Sequence, residues 1–221
     1  MKGFLFQLST LLTILTWGLF CVPSAAIENN SISKNSFELR LSLGSFCESV
    51  YYPQSGYRGI ENVPGMTYAL SLGFVTPLSH KLSVEPGIGI NLSFGDLDNY
   101  GKEGGNILAM PGIDLFFMAQ YHIELSNYML IAELGPELLY FTESESYYID
   151  ANPLDPRNGK DIYQKWDIAL KPGLVLQAGK HFLAGIEFPI GLRNVRKLYP
   201  EYNMDCRGHF RSMQVLLGWR F

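Results

Sequence analysis

Glu38, Arg40, Glu85, Asp114, Glu133, Glu137, Asp167, Lys171, Glu187, Arg193 and Arg220 lie in stretches where polar and apolar residues alternate. Alternation with period 2 turns them all to one face of the elements that hold them, an arrangement suited to a charged interior. Its charges must satisfy one another or trapped water, and the like-charged Asp114 and Glu137 are either a proton site or part of that network. Acyl-transfer chemistry would need an activated Ser or His, and His209 has Ser212 three residues on. In an extended strand that spacing sends the two side chains to opposite faces, so no nucleophile and base pair is expected there. His80, His122 and His181 each flank a short turn at the other end of the elements. Asp150, Asn152, Asp155, Asn158 and Asp161 miss the spacing of a calcium loop and are common turn residues. No catalytic residue, metal or cofactor is expected. A formal net charge of -4 gives no general basic field for a phosphate backbone, so nucleic acid is not an expected partner.

The amino terminus governs where such a face operates. Met1, Lys2 and Gly3 precede an uncharged run from Phe4 to Phe20, followed by Val22, Pro23, Ser24, Ala25 and Ala26. This is the pattern of a secretory signal peptide over 1–26, the alternative being a retained helix. The bulky Phe20 before Cys21 argues against a lipoprotein site. No other run is long and apolar enough to cross a bilayer as a helix. Sec-type export therefore delivers either a soluble chain or one that enters a membrane as strands.

The rest of the chain favours strands. Phe37, Leu39, Leu41 and Leu43 alternate with Glu38, Arg40, Ser42 and Gly44, and seven further runs repeat the pattern, the last spanning about His209 to Phe221. Pro77 to His80, Glu124 to Asn127 and Gly179 to His181 are tight connections. Phe46 to Met66, Asp96 to Asn106, Thr142 to Lys165 and Val195 to Arg207 are long and polar. Short turns at one end and long loops at the other describe an eight-stranded antiparallel up-and-down transmembrane β-barrel over 36–221, with 27–35 as a periplasmic lead-in. A soluble lipocalin-like barrel shares this periodicity with its faces exchanged. Of the lysines, only Lys171 lies well inside a polar face, which otherwise holds Gly, Ala and Ser beside a few charges; the apolar face is Leu, Ile, Phe, Tyr and Trp. That division suits a narrow interior and a lipid-facing belt.

The final strand ends in Phe221, with Trp219 two before it and Leu217, Val215 and Met213 at the preceding alternate positions. It resembles the assembly signal of bacterial outer-membrane β-barrels, although any amphipathic last strand of a sandwich shares the pattern. The phrases LSVEPGIGINLSF at Leu82 to Phe94, AELGPELLYF at Ala132 to Phe141, WDIALKPGLVLQAG at Trp166 to Gly179 and VLLGWRF at Val215 to Phe221 resemble the outer-membrane protein β-barrel domain family, PorT-like or porin-like. They also resemble the small barrels of the OmpA and OmpX type. The resemblance implies an all-β fold, residence in the cell outer membrane, contact with its lipid and insertion by the barrel-assembly machinery. It implies no shared activity.

In a closed barrel the first and eighth strands are neighbours. Cys47 and Cys206, the cysteines left after the leader, are therefore expected as a disulfide across the seam, two free thiols being the alternative. Eight strands leave a lumen just filled by side chains, so its charges must satisfy one another. Counting from the turns places Lys171 diagonally across from Glu187, Glu38 with Arg220 at the periplasmic end, and Asp114 opposite Glu137. The loop tyrosines Tyr51, Tyr52, Tyr57, Tyr147 and Tyr148 are the candidate surface for an extracellular ligand. The expectation is a plugged, non-conducting, non-enzymatic barrel acting as a structural or surface-binding protein. Alternatives are an accessory component of a secretion or transport assembly, an outer-leaflet lipid-modifying enzyme and a soluble lipocalin-like binder.

Overall fold

The structure, a computed structural model, describes residues 34–52, 57–96, 106–142, 145–148, 164–195 and 207–221. The expected leader and most of the lead-in lie outside these residues. The strands are β1 (Ser36–Tyr52), β2 (Tyr57–Pro77), β3 (Leu82–Asp96), β4 (Asn106–Leu125), β5 (Tyr128–Phe141), β6 (Glu145–Tyr148), β7 (Trp166–Ala178), β8 (Phe182–Glu187), β9 (Ile190–Gly191) and β10 (Arg207–Arg220). They form an antiparallel sheet that closes where β1 pairs with β10. β6 continues the stave of β5 along β4, and β8 and β9 are one stave interrupted at Phe188 and Pro189, so the barrel has eight staves.

The interruption has a covalent cause. Phe188 N donates to Pro172 O at 2.9 Å and Ser212 N to Pro189 O at 2.9 Å. Neither proline has an N–H to return the bond, so the ladder loses a rung on each side of the segment.

The two faces decide between the membrane and soluble readings. Leu41 is 56% exposed and Ile90 60%, whereas Glu38 and Glu85 are 0% exposed. An apolar surface enclosing buried charges is the inverse of a soluble barrel and fits a wall solvated by lipid. Strands as long as the 21 residues of β2 exceed the roughly 9 to 11 that cross a bilayer, so the sheet projects beyond it. The stretch from Phe46 to Met66, read from sequence as a loop, is largely a hairpin paired from Glu48 with Glu61 to Tyr52 with Tyr57, after a register shift between Phe46 and Glu48.

Apolar side chains also occupy the two ends of the lumen. Met129, Ile131, Val175, Leu183 and Leu216 line its wall toward the short turns. Phe46, Met110, Phe141 and Val195 cluster toward the long connections, with Leu139 and Phe210 packed against them.

Candidate functional site

The even-numbered residues of β1 point inward, and this carries Arg40 to the middle of the lumen. Its Nε donates to Glu38 Oε2 at 2.9 Å, and Nη2 donates to Glu85 Oε2 at 2.7 Å. Nη1 donates to Glu133 Oε1 at 3.0 Å and to Glu187 Oε1 at 3.2 Å. One planar guanidinium thus ties β1 to β3, β5 and β8 across the lumen, a use of its fixed donor fork that a lysine could not match.

Two further cations extend the network. Arg220 Nε donates to Glu38 Oε1 at 2.7 Å, its Nη2 reaches the same oxygen, and Nη1 donates to Gln177 Oε1 at 2.6 Å. Glu38 therefore bridges two arginines through its two oxygens. Lys171 Nζ lies 3.1 Å from Glu137 and 3.2 Å from Glu187, with the Phe116 ring centroid 5.1 Å away. Small residues make room: a Cβ on Gly73 would collide with the Glu85 carboxylate, and one on Gly173 would lie 2.6 Å from Glu133 Oε1. Asp114 and Asp167 lie likewise over Gly89 and Gly191. A long polar side chain on one strand occupies the space that an inward glycine leaves on the next.

A chain of neutral groups runs from the hub toward the short-turn end. Gln120 Nε2 donates to Glu85 Oε2 at 2.7 Å, and Ser83 Oγ donates to Gln120 Oε1 at 2.8 Å. Ser83 Oγ lies 2.7 Å from His122 Nε2. With its proton committed to Gln120, the hydroxyl accepts from His122, which is accordingly the Nε2–H tautomer. This serine and histidine pair is buried, with Ser83 and His122 each 2% exposed, and the serine donates to Gln120. Sequence reading placed His122 at a turn; its parity with Asp114 and Gln120 was the available signal for an inward position. Glu48, also fully buried, shares the parity of Glu38 and Arg40 and lies in β1, inside the stretch whose composition reads as a long connection. His209 pairs with Ser49 and Ser212 lies one strand face away, accepting from Gln214 Nε2 at 3.1 Å, so the two do not meet.

Several sequence expectations change. Asp114 pairs with Leu139, and Glu137 with Phe116, because β4 runs on to Leu125 and the turn is only Ser126 and Asn127. The shift is two residues, which preserves facing while changing partners. Arg193 leaves the lumen: its Nη1 donates to Trp166 O at 3.0 Å and its guanidinium lies 3.4 Å from the centroid of the Trp166 ring. Its backbone N and that of Ile168 donate instead to Asp167 Oδ1, at 3.3 and 2.8 Å.

The Cys47 to Cys206 disulfide is not supported. Cys47 is a free thiol inside β1, paired with Arg211, and Cys206 lies outside the described residues. Arg207, the residue after Cys206, pairs with Tyr51, four positions or roughly 13 Å further along the strand. A Cα within 3.8 Å of Arg207 remains beyond the roughly 7 Å that a disulfide spans.

Between the charged hub and the outer apolar cluster is a cavity of about 70 Å³, room for a few waters, reached by Asp114, Glu137, Asp167 and Lys171 from below and by Phe46 and Phe210 from above. Phe210 makes edge contacts with Phe46 at 6.1 Å and Phe141 at 5.9 Å between centroids. At the short-turn end Trp219 faces outward, 46% exposed, and stacks on His181 at 5.2 Å, while Phe221 N donates to Phe37 O at 2.8 Å. Tyr51 is half-buried on β1; the side chains of Tyr52, Tyr57, Tyr147 and Tyr148 lie outside the described set.

Among solved structures the chain is similar to the outer membrane enzyme PagL, with 10% identity and TM-score 0.45 over 82% of this chain and 97% of that one. It is similar to the outer membrane protein OprG of Pseudomonas aeruginosa, with 11% identity and TM-score 0.44 over 88% and 99%. It is also similar to Ail, the attachment invasion locus protein of Yersinia pestis solved with the heparin analogue sucrose octasulfate, with 12% identity and TM-score 0.42 over 84% and 99%. No curated protein matches it in sequence. The family model for the outer membrane protein beta-barrel domain matches residues 28–197, and with its closed eight-stave wall, apolar outside and charged within, the chain belongs to that family of the bacterial outer membrane.

Proposed function

We propose that this outer-membrane barrel has a plugged, non-conducting lumen and serves as a structural or surface-binding protein through its long-loop end. The observation that carries the reading is the Arg40 guanidinium, held in mid-lumen by carboxylates of Glu38, Glu85, Glu133 and Glu187. Ions crossing there would have to displace a buried, multiply bonded cation, and the apolar cluster around Phe46 and Phe210 stands above it. In this reading the protein is not an enzyme; the committed Ser83 proton and the opposite facing of His209 and Ser212 support that. Insertion depends on the barrel-assembly machinery reading the strand that ends in Trp219 and Phe221.

Planar-bilayer recording tests the plug: the wild-type barrel is expected to give no unitary conductance steps, and steady open-channel current would refute it. Deleting 144–159 is expected to abolish adhesion to a host or matrix surface without affecting barrel formation. Stoichiometric co-purification with a larger envelope complex, with no loss of adhesion on trimming, would replace surface binding by an accessory role in secretion or transport.

A further inference from the structure

The outward face of the barrel is apolar around most of its described circumference, but one sector carries positive charge. Odd-numbered residues of β10 point outward, so Arg207 and Arg211 both stand on the lipid side of the wall and both are exposed. Arg211 is opposite Cys47 on β1 and Ile190 on β9, and Arg207 is opposite Tyr51. Arg193, just past β9, is stacked on Trp166 of β7, and among the described residues its guanidinium donates only through Nη1, to the Trp166 carbonyl. Lys165, exposed, immediately precedes the same tryptophan.

None of these four side chains forms a salt bridge among the described residues, in a chain whose formal net charge is -4. Facing outward with Arg207 and Arg211 are His209, opposite Ser49, and the half-buried Tyr51. On the described strands that flank the cations, Glu48 of β1 and Asp167 of β7 are 0% exposed and point inward.

What lies beside the cations identifies their occupant. Ile168 and Leu170 of β7, Ile190 of β9, Leu192 just past it and Met213 of β10 form an exposed apolar belt, with Leu192 58% exposed. The cations stand at its long-loop edge. A soluble anion would use the charges and leave the belt to other lipids; an amphiphile with acyl chains and an anionic head would use both. Arginines, one held rigid by an aromatic face, match the bidentate geometry of phosphate better than they match a diffuse negative surface.

We propose that Lys165, Arg193, Arg207 and Arg211, together with the belt below them, form a binding site for the phosphate-bearing headgroup of an outer-leaflet lipid. The lipid lies along the wall at β7, β9 and β10, its chains on Ile190 and Leu192 and its phosphates among the arginines. The site is independent of the loops and of the lumen network, so its fate is separate from that of the proposed function.

The test uses the full mature barrel in zwitterionic detergent, titrated with diphosphoryl lipid A or with the same lipid stripped of both phosphates, and read by native mass spectrometry. The wild type is expected to bind the phosphorylated lipid at least tenfold more tightly than the dephosphorylated one, as a few cations at an anionic lipid surface would give. The triple variant R193Q, R207Q, R211Q is expected to lose that preference, and K81Q at a short turn to retain it. Heat-dependent gel mobility reports that each variant is folded; if the triple variant does not fold, R211Q alone is expected to bind the phosphorylated lipid severalfold more weakly. Equal binding of both lipids by the wild type, unchanged preference in the folded arginine variants, or displacement of the lipid by soluble sucrose octasulfate at comparable concentration would overturn the proposal.

Discussion

Arg40 is the residue on which the interior depends most. Its removal would leave the buried carboxylates of Glu85 and Glu133 without a cation, and Glu38 and Glu187 with only Arg220 and Lys171. R40M is therefore expected to lower stability by about 3–5 kcal/mol, the usual cost of orphaning a buried ion partner, measured by urea unfolding in lipid vesicles. R40K should recover only part of this, because an ammonium cannot span four partners with a planar fork. Where the network is uncharged the stakes fall: S83A breaks the bond to Gln120 and leaves His122 Nε2–H without its acceptor, an expected loss of about 1–3 kcal/mol. Gly173 shows how tightly carboxylates and backbone are fitted. A side chain there enters the space of Glu133, so G173V is expected to displace Glu133 from Arg40 and to reduce the heat-resistant band on gels.

At the level of elements, turn and strand chemistry have separate consequences. Gly179 has a φ of 63° in the turn between β7 and β8, a conformation that costs an L-residue roughly 1–2 kcal/mol. G179A should show that cost as a lower urea midpoint with no change in the closed barrel. The stave of β8 and β9 is the weak one, because Pro172 and Pro189 each withhold a donor. Amides of Phe188 to Leu192 are expected to exchange with solvent or detergent-borne deuterium faster than those of β5, and protection equal to that of β5 would contradict the assignment. The hairpin of β1 and β2 past Phe46 shows why a polar stretch can still be sheet: Val50, Tyr51, Tyr57 and Ile60 favour strands, and the projecting pairing needs no lipid-facing surface.

Over the whole molecule, closure between β1 and β10 leaves no free edge in the hydrocarbon, the condition for a sheet to cross a bilayer. The unboiled protein is expected to migrate differently from the boiled one on gels, and reductant is expected to change neither band, because Cys47 is a free thiol. A mobility shift on reduction would contradict a free Cys47 thiol. Strand, facing and compartment were legible in the residues themselves, because side-chain direction in a strand repeats every two positions and needs no knowledge of a partner. Glu38, Arg40, Glu85, Glu133, Lys171 and Glu187 could be assigned to the interior on that ground alone. Counting from the turns also brought Lys171 to Glu187 and Glu38 to Arg220, but not Asp114 to its partner or Arg40 to its four carboxylates, since pairing depends on the length of each turn and a shift of two residues leaves parity untouched. The turn at Ser126 and Asn127 moved Asp114 from Glu137 to Leu139, and the end of β9 released Arg193 to Trp166. The sequence by itself determined a barrel with charges inside and lipid outside; only the tertiary structure decided that Arg40 is their common centre, because long-range register brings four staves to one guanidinium.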